Sequence, residues 1–422
     1  MKRLTKLACL TLGAAVSVAL MAGCSTGPGQ PEPGAKPVVR LTYWNSEETM
    51  ASMLRYISTA VPDVKVEFQF IDNTNYATIV DTQLAAGEGP DIIVEAPNSS
   101  RKHARQGYLE DLSTLAKGFS AAGNSVFTHE NKVYGLPGVS WFEGTWFNKE
   151  LFAKHNIALP TTFAEYIEVC KKFKELGIKP LAAGLQSWEP MLKNSMAYVT
   201  AEYLSTPAGS DFGEKYRNGQ TTLDGTWNPY IDQWSALIRA GVYTKEMTGI
   251  SHEQAMEEFA SGKAAMFCSG PWDLDAILAK NPKLDLDMMP FHGTKASPDG
   301  TGWLIGGPGG GFAVNANSKV KPAAMKVLEA IATPEGQKAL VADSKGSSSY
   351  LIGLDAGLPK YYNSVVSTIE AGKILCPWDD WGTAGGAHRE YGVEMQKYLM
   401  GEVDIATALS NVDKTVKELL SK

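Results

Sequence analysis

Between residues 38 and 94 the chain runs through one scheme twice: a short apolar run, an amphipathic stretch, then another apolar run. "VVRLTYWNS" (38–46) opens as a strand, "EETMASMLRYISTAVP" has helical spacing, and "VKVEFQFID" alternates Val64, Val66, Phe68 and Phe70 toward one face. "YATIVDTQLAAGEGPDIIVEAP" continues with a helix, a Gly/Pro turn and the apolar strand 92–94. Parallel strands need a crossover between them, so strand, helix, strand, helix, strand predicts an α/β unit on a parallel sheet. Ligands on such sheets gather beyond the carboxyl ends of the strands. That rule selects Asn45 and Glu47 after the first strand, and Glu95 and Asn98 after the third. Their amides and carboxylates can bond paired hydroxyls; helix capping is the alternative for Asn45, Ser46 and Glu47.

The pattern persists downstream. Thr161 or Thr162 can cap a helix running to Gly177, and a second helix-rich region spans 187–241. "SHEQAMEEFASGKAAMFCSGPWDLDAIL" reads as helix, Gly turn, strand 264–268, Gly-Pro corner and helix. "GGPGGGFAVNANSKVKPAAMKVLEAIATPEGQKALV" reads as a Gly run, strand 312–314 and two helices, and the tail 390–420 is helical. The Gly run lacks the Lys-Ser/Thr of a phosphate-cradling loop, and a strand follows it where that motif needs a helix. With 422 residues, 44% of them hydrophobic, the chain can build two lobes or three.

The N-terminus carries an address. Lys2, Arg3 and Lys6 precede an apolar run over 7–22, as in a secretory signal, and the run ends at "LMAGC". That ending resembles a bacterial lipoprotein box, with Met21 where an aliphatic residue is usual, and the resemblance implies that Cys24 carries lipid. "STGPGQPEPGAKP" (25–37) is too rich in Pro and Gly to build a core and is expected to be a tether. The expected division is therefore a signal peptide over 1–23 and a lipid-anchored tether over 24–37. No later segment offers about 20 uninterrupted apolar residues, so lipid is the one expected membrane attachment. The net charge of -7, without a block of Lys/Arg in the body of the chain, argues against a nucleic-acid partner. Cys170, Cys268 and Cys376 stand apart without CxxC or Cys/His spacing, so neither a disulfide framework nor a zinc site is expected. They read as three buried apolar residues, and at most one disulfide could form among them. No metal or cofactor is expected.

Five blocks in order carry a family resemblance: "GEGPDIIVEAP", "VYGLPGVSWFEGTWFNKELF", "TTFAEYIEVCKKFKELG", "EEFASGKAAMFCSGPWDL" and "FAVNANSKVKPAAMKVLEAIATPEGQKAL". Across 39–420 the chain resembles the extracellular sugar-binding proteins of bacterial ABC importers, the maltose- and oligosaccharide-binding relatives. The resemblance implies an α/β fold of two lobes, each a mixed, mainly parallel sheet flanked by helices, joined by crossing hinge segments and closing like a clamp. Lobe one would comprise 38–139 and 312–349, lobe two 140–311 and 350–422, with crossings near "LPGVS", "GGPGGG" and "GSSSY". It also implies an oligosaccharide ligand, ABC permease subunits as partners, and a monomer on the outer face of the cell membrane.

A sugar offers apolar C–H faces and hydroxyl edges, which call for planar aromatics and for carboxylates or amides. Ten tryptophans are many for such a chain, and several lie at turns. Trp272, in "SGPWD", follows the Gly turn where the family carries a stacking aromatic. Trp378 and Trp381, around Asp379 and Asp380 in "CPWDDWGTAGG", fall at the family's late aromatic position. Adjacent side chains diverge in most backbones, so at most one of the two acids should face a cleft, and a solvated turn is the alternative. Trp141, Glu143 and Trp188 occupy segments that line the cleft in relatives, with packing as the alternative for each. Trp44 reads as packing at a strand end, and Trp146, Trp227, Trp234 and Trp303 as packing or surface. Asp273 reads as a helix cap.

Two other functions stay open from sequence. A secreted glycosidase would set paired carboxylates about 5–9 Å apart across a glycosidic bond, which sequence neighbours need not do. A binder of a non-sugar solute such as a peptide is the other.

Overall fold

The computed structural model describes residues 36–421 apart from 298, 345, 355–357 and 383–385. The signal and most of the tether, with Cys24, lie outside the described residues. Two separate sheets organise the rest.

The first sheet has five strands in the order Lys65–Phe70, Val38–Tyr43, Ile92–Glu95, Gly311–Val314 and Leu136–Pro137. Its first three strands are parallel, and Gly311–Val314 runs antiparallel to both of its neighbours. Ile92, Ile93 and Val94 are buried on both faces, as a central parallel strand requires. Helices Ala51–Ala60, Lys321–Ile331 and Pro334–Asp343 cover one face through Met53, Ile57, Val327, Leu328 and Leu340. Tyr76, Val80, Leu84 and Leu109 cover the other. The alternation in 64–70 does form a strand, but at the sheet edge: Val66 and Phe68 are only half-buried and Phe70 is 51% exposed.

The second sheet runs Ile374–Leu375, Leu304–Pro308, Ser140–Asn148, Ala264–Ser269 and Lys179–Ala182, with Leu286–Met289 also paired to Ser140–Asn148. Ser140–Asn148 is its spine. Period-two alternation sends Phe142 and Trp146 into one core layer, while Phe147 enters the other and Trp141 packs against that same layer. The larger layer contains Phe173, Met191, Trp227, Trp234, Trp381 and Tyr391. Local signals placed the helices well. The helix Phe163–Glu175 is capped by the Thr162 hydroxyl, which accepts from the Glu165 N–H, while the Glu165 carboxylate accepts from the Thr161 N–H at 2.7 Å. The helical tail divides into Ala387–Met400 and Ile405–Leu420, broken where Gly401 takes φ +74° and Asp404 caps the second helix. Cys170, Cys268 and Cys376 are buried free thiols.

Three segments that cross between the sheets lie side by side. Gly138 N–H donates to Gly310 at 3.0 Å, Gly309 N–H to Val139 at 3.0 Å, and Ser140 N–H to Ser348 at 2.8 Å. The approach is close enough that a Cβ on Gly138 would stand 2.6 Å from the Gly310 carbonyl oxygen. Only glycine permits that contact. On the third crossing Tyr350 and Leu351 still pack on the first lobe's core, and from Leu358 the chain packs in the second. No helix among the described residues is long and apolar enough to cross a membrane.

Candidate functional site

Strand Ala264–Ser269 ends at Gly270 and Pro271, and the turn that follows turns Trp272 outward, where it is 47% exposed. The indole folds back over Gly270, so that a Cβ there would stand 2.2 Å from the ring. Any side chain at 270 would displace the platform.

Trp272 is the exposed end of a ladder of rings. Its centroid lies 6.4 Å from that of Trp141, with planes tilted by 45°. Trp141 lies 6.0 Å from Trp378, Trp378 stacks on His388 at 5.7 Å, and His388 lies 5.5 Å from Trp188. These separations are those of favourable aromatic pairs. The rings come from separate segments: Trp141 from the spine strand, Trp378 from the chain after Ile374–Leu375, His388 from Ala387–Met400, and Trp188 from the start of Glu189–Val199. Burial pushes the His388 imidazole down to about 4, so it stacks as a neutral ring. Trp378 is buried between Trp141 and His388 and supports the ladder from inside.

An ionic anchor backs the ladder. Lys193 sits one turn beyond Glu189, with its ammonium 3.0 Å from Glu143 and 3.4 Å from Glu189. The same ammonium lies 5.8 Å from the Trp141 ring centroid and 4.9 Å from that of Trp272. Burial opposes its charge, but the two carboxylates outweigh burial and hold its pKa above the usual lysine range. Burial pushes Glu143 up while Lys193 pulls it back; the more open Glu189 is held below the usual range, chiefly by Lys193. Asp273 caps nothing. Its carboxylate lies 2.7 Å from His252 Nε2, accepts from the Ser269 hydroxyl, and raises the His252 pKa by that hydrogen bond.

The acid pair divides as adjacency requires. The Asp380 side chain lies against Gly213, and its carbonyl accepts from Arg217 at 2.9 Å. Asp379 faces the Cys376 thiol and the Arg101 charge; burial, assisted by Asp380, pushes its carboxyl up to about 7. Arg101 belongs to the first lobe, on helix Pro97–Arg105, and its guanidinium donates to the Asp379 carbonyl and to the Asn98 side chain, the latter at 3.0 Å. Across that contact the two lobes touch.

Several expected residues thus meet: Trp272, Trp141, Trp378, Trp188 and Glu143 in the ladder and its anchor, with Asp379 and Asn98 where the lobes touch. Trp381 is not with them. It is fully buried in the second lobe's core against Tyr216, Trp227 and Tyr391, at 5.3, 6.1 and 6.4 Å. The short helical turn Asp379–Trp381 carries it into that core. Glu95 is buried and tied 2.7 Å from His103 Nδ1, whose Nε2 lies 2.7 Å from Asp81. Burial opposes charge on that imidazole, yet the two carboxylates push it up to about 9. Asn45 is half-buried and directs its amide to Met50 Sδ at 3.6 Å; Glu47 is exposed. The turn before helix Ala51–Ala60 is made by Ser46, whose hydroxyl accepts from Thr49 N–H. Trp44 packs edge-on against Tyr43 and Tyr76 and beside Gly310 at a crossing.

Sequence reasoning missed Lys193, His388, Arg101 and His252. The i, i+4 spacing of Glu189 and Lys193 is a signal for a helical ion pair but carries no hint of the two rings above it; the others carry no signal. A cavity of about 30 Å³ within the second lobe, lined by Tyr166, Asn194 and Trp234 among others, has room for no more than a water or two and is too small for a sugar ring. Among the described residues no group of His, Cys, Asp and Glu could hold a metal ion.

Two α/β lobes joined by three crossings, with an aromatic wall at one lobe, define a solute-binding clamp. The chain belongs to the family of bacterial extracellular solute-binding proteins, whose profile matches residues 43–338. It is 23% identical over 311 residues to the multiple sugar-binding protein of Streptococcus mutans serotype c (strain ATCC 700610 / UA159), covering 72% of each chain. It is 24% identical over 324 residues to the galactooligosaccharide-binding protein of Bacillus subtilis (strain 168), covering 70% of this chain and 72% of that one. Its fold matches a family 1 extracellular solute-binding protein from Bifidobacterium longum subsp. infantis with a TM-score of 0.71 and 24% identity, over 92% of this chain and 100% of that one. These are extracytoplasmic binding proteins and not enzymes.

Proposed function

We propose that this protein is the substrate-binding component of an ABC importer that captures an oligosaccharide between its lobes and delivers it to permease subunits in the membrane. The observation that carries this reading is the ladder ending in the exposed Trp272, on the lobe that Arg101 of the other lobe meets. An indole face supported from behind suits the C–H face of a pyranose, and flanking carboxylates and amides suit its hydroxyls. The sugar-binding names of its relatives point the same way.

In this reading one sugar ring stacks on Trp272, a second lies along Trp141, and lobe one closes over the hydroxyls with Arg101, Asn98, Asn45 and Glu47. Closure requires that the ligand bind the closed form more tightly than the open form. Lobe one comprises 38–139 with 312–349 and the few residues after it, and lobe two the remainder. The protein acts as a monomer, tethered by lipid on Cys24 to the outer face of the membrane.

A thermal-shift panel of oligosaccharides, followed by calorimetry and small-angle scattering, tests the reading. Stoichiometric binding, a smaller radius of gyration on binding and no new reducing ends are expected. Release of reducing ends would establish a glycosidase instead, and stabilisation by peptides alone would move the ligand to another class.

A further inference from the structure

Among the described residues, Lys193 is the one cation that lies over both Trp272 and Trp141, the first two rings of the ladder. It lies on helix Glu189–Val199 with its side chain 13% exposed, under Trp272 and Trp141 and over Glu143 and Glu189. Trp272 stands on a turn, nearly half exposed, and its orientation rests on Gly270 beneath, Trp141 beside it and Lys193. An ammonium pinned by Glu143 and Glu189 and lying within 6 Å of two indole centroids at once gives both rings a fixed point to pack on, which sets the gap and the tilt between them. The two carboxylates that hold it are formally -2 against its +1, so the cluster as a whole is anionic. The nearby Asp273 in turn engages His252.

We propose that Lys193 is a positioning residue of the binding site, setting the mutual tilt of Trp141 and Trp272. Because its charge is already met by Glu143 and Glu189, the platform it builds takes uncharged sugar rings and rejects uronates. The inference rests on the carbohydrate reading of the site and names the class of carbohydrate.

The test compares the mature protein with Lys193→Met/Glu143→Gln, which removes both members of the buried pair together, with Lys193→Arg, and with Glu189→Gln. Near-UV circular dichroism and acrylamide quenching are read without ligand, and calorimetry is run with raffinose, maltotriose and trigalacturonate. The double variant should change the indole bands, raise quenching and weaken the neutral trisaccharide that wild type binds by at least tenfold, with Lys193→Arg recovering to within threefold. Glu189→Gln should move the bands the same way and weaken binding about twofold, which decides the matter if the double variant does not fold. Trigalacturonate should not bind. Unchanged bands and affinity would overturn the positioning role. Trigalacturonate binding that is lost with Lys193 would overturn the specificity by making the lysine an anion receptor. If wild type binds neither neutral sugar, the carbohydrate reading and the specificity built on it fall, and the ligand-free bands still decide whether Lys193 sets the rings.

Discussion

The two lobes present surfaces of opposite character. Lobe two offers rings already stacked on one another, backed by a buried ammonium and two carboxylates. Lobe one offers short polar groups at strand ends, several of them tied within the lobe, as Glu95 is to His103 and Asp81. Stacking energy scales with flat area held in place, so it needs a prebuilt wall. Hydrogen bonds to hydroxyls need direction more than area, so loops and a helix end can supply them on closure. Under the proposed function, the comparison teaches a division of labour: lobe two would hold the ligand and lobe one would sense that it is held.

The largest effect should separate two tryptophans 109 positions apart in the sequence, one fully buried and one nearly half exposed. Trp381→Ala should cost about 3–5 kcal/mol of stability in denaturant titration, as for a large aromatic removed from a packed core, and Trp272→Ala under about 0.5 kcal/mol, as at an exposed position. Equal destabilisation would erase the distinction between core and platform. Next, Trp272→Ala should weaken sugar binding by about 1–3 kcal/mol in calorimetry, as for other lost stacking platforms.

On the lobe-one side, Arg101→Ala should weaken binding by about 1 kcal/mol, the net worth of a typical hydrogen bond. It should also cost about 1 kcal/mol of stability for the lost contact between lobes and leave the liganded scattering profile more open. An Arg101→Ala effect larger than that of Trp272→Ala would reverse the division of labour. A separate, pH-dependent effect is set by Asp379. A carboxyl raised to about 7 in the fold binds more protons natively than in the unfolded chain, so it subtracts stability as pH climbs from about 4 through 7. Asp379→Asn should therefore melt about 2–4 °C above wild type at pH 8, and together with it at pH 4. A difference that persists at pH 4 would assign the gain to packing.

Much of the fold was legible because local chemistry and tertiary structure agree. The alternation and helix signals over 38–94 gave the parallel unit, and the Gly-Pro corner at 270–271 gave the exposed turn that bears Trp272. The site was legible only as a set of types. Nothing in "CPWDDWGTAGG" distinguishes Trp378, which joins the ladder, from Trp381, which turns into the core against Tyr216 and Trp227. Much of the difference lies in partners more than a hundred residues away, Trp141 for the one and Tyr216 and Trp227 for the other. Glu95 shows the same limit: its place beyond a strand end was readable, while the imidazole eight residues later that binds it was not.

The most direct test is ¹⁹F NMR of protein labelled with 5-fluorotryptophan, with the Trp272 line assigned by Trp272→Phe. A saturating neutral oligosaccharide should shift that line and shield it from solvent, while the lines of Trp146, Trp227, Trp234 and Trp381 stay in place. A bound sugar that leaves the Trp272 line where it was would contradict the central claim.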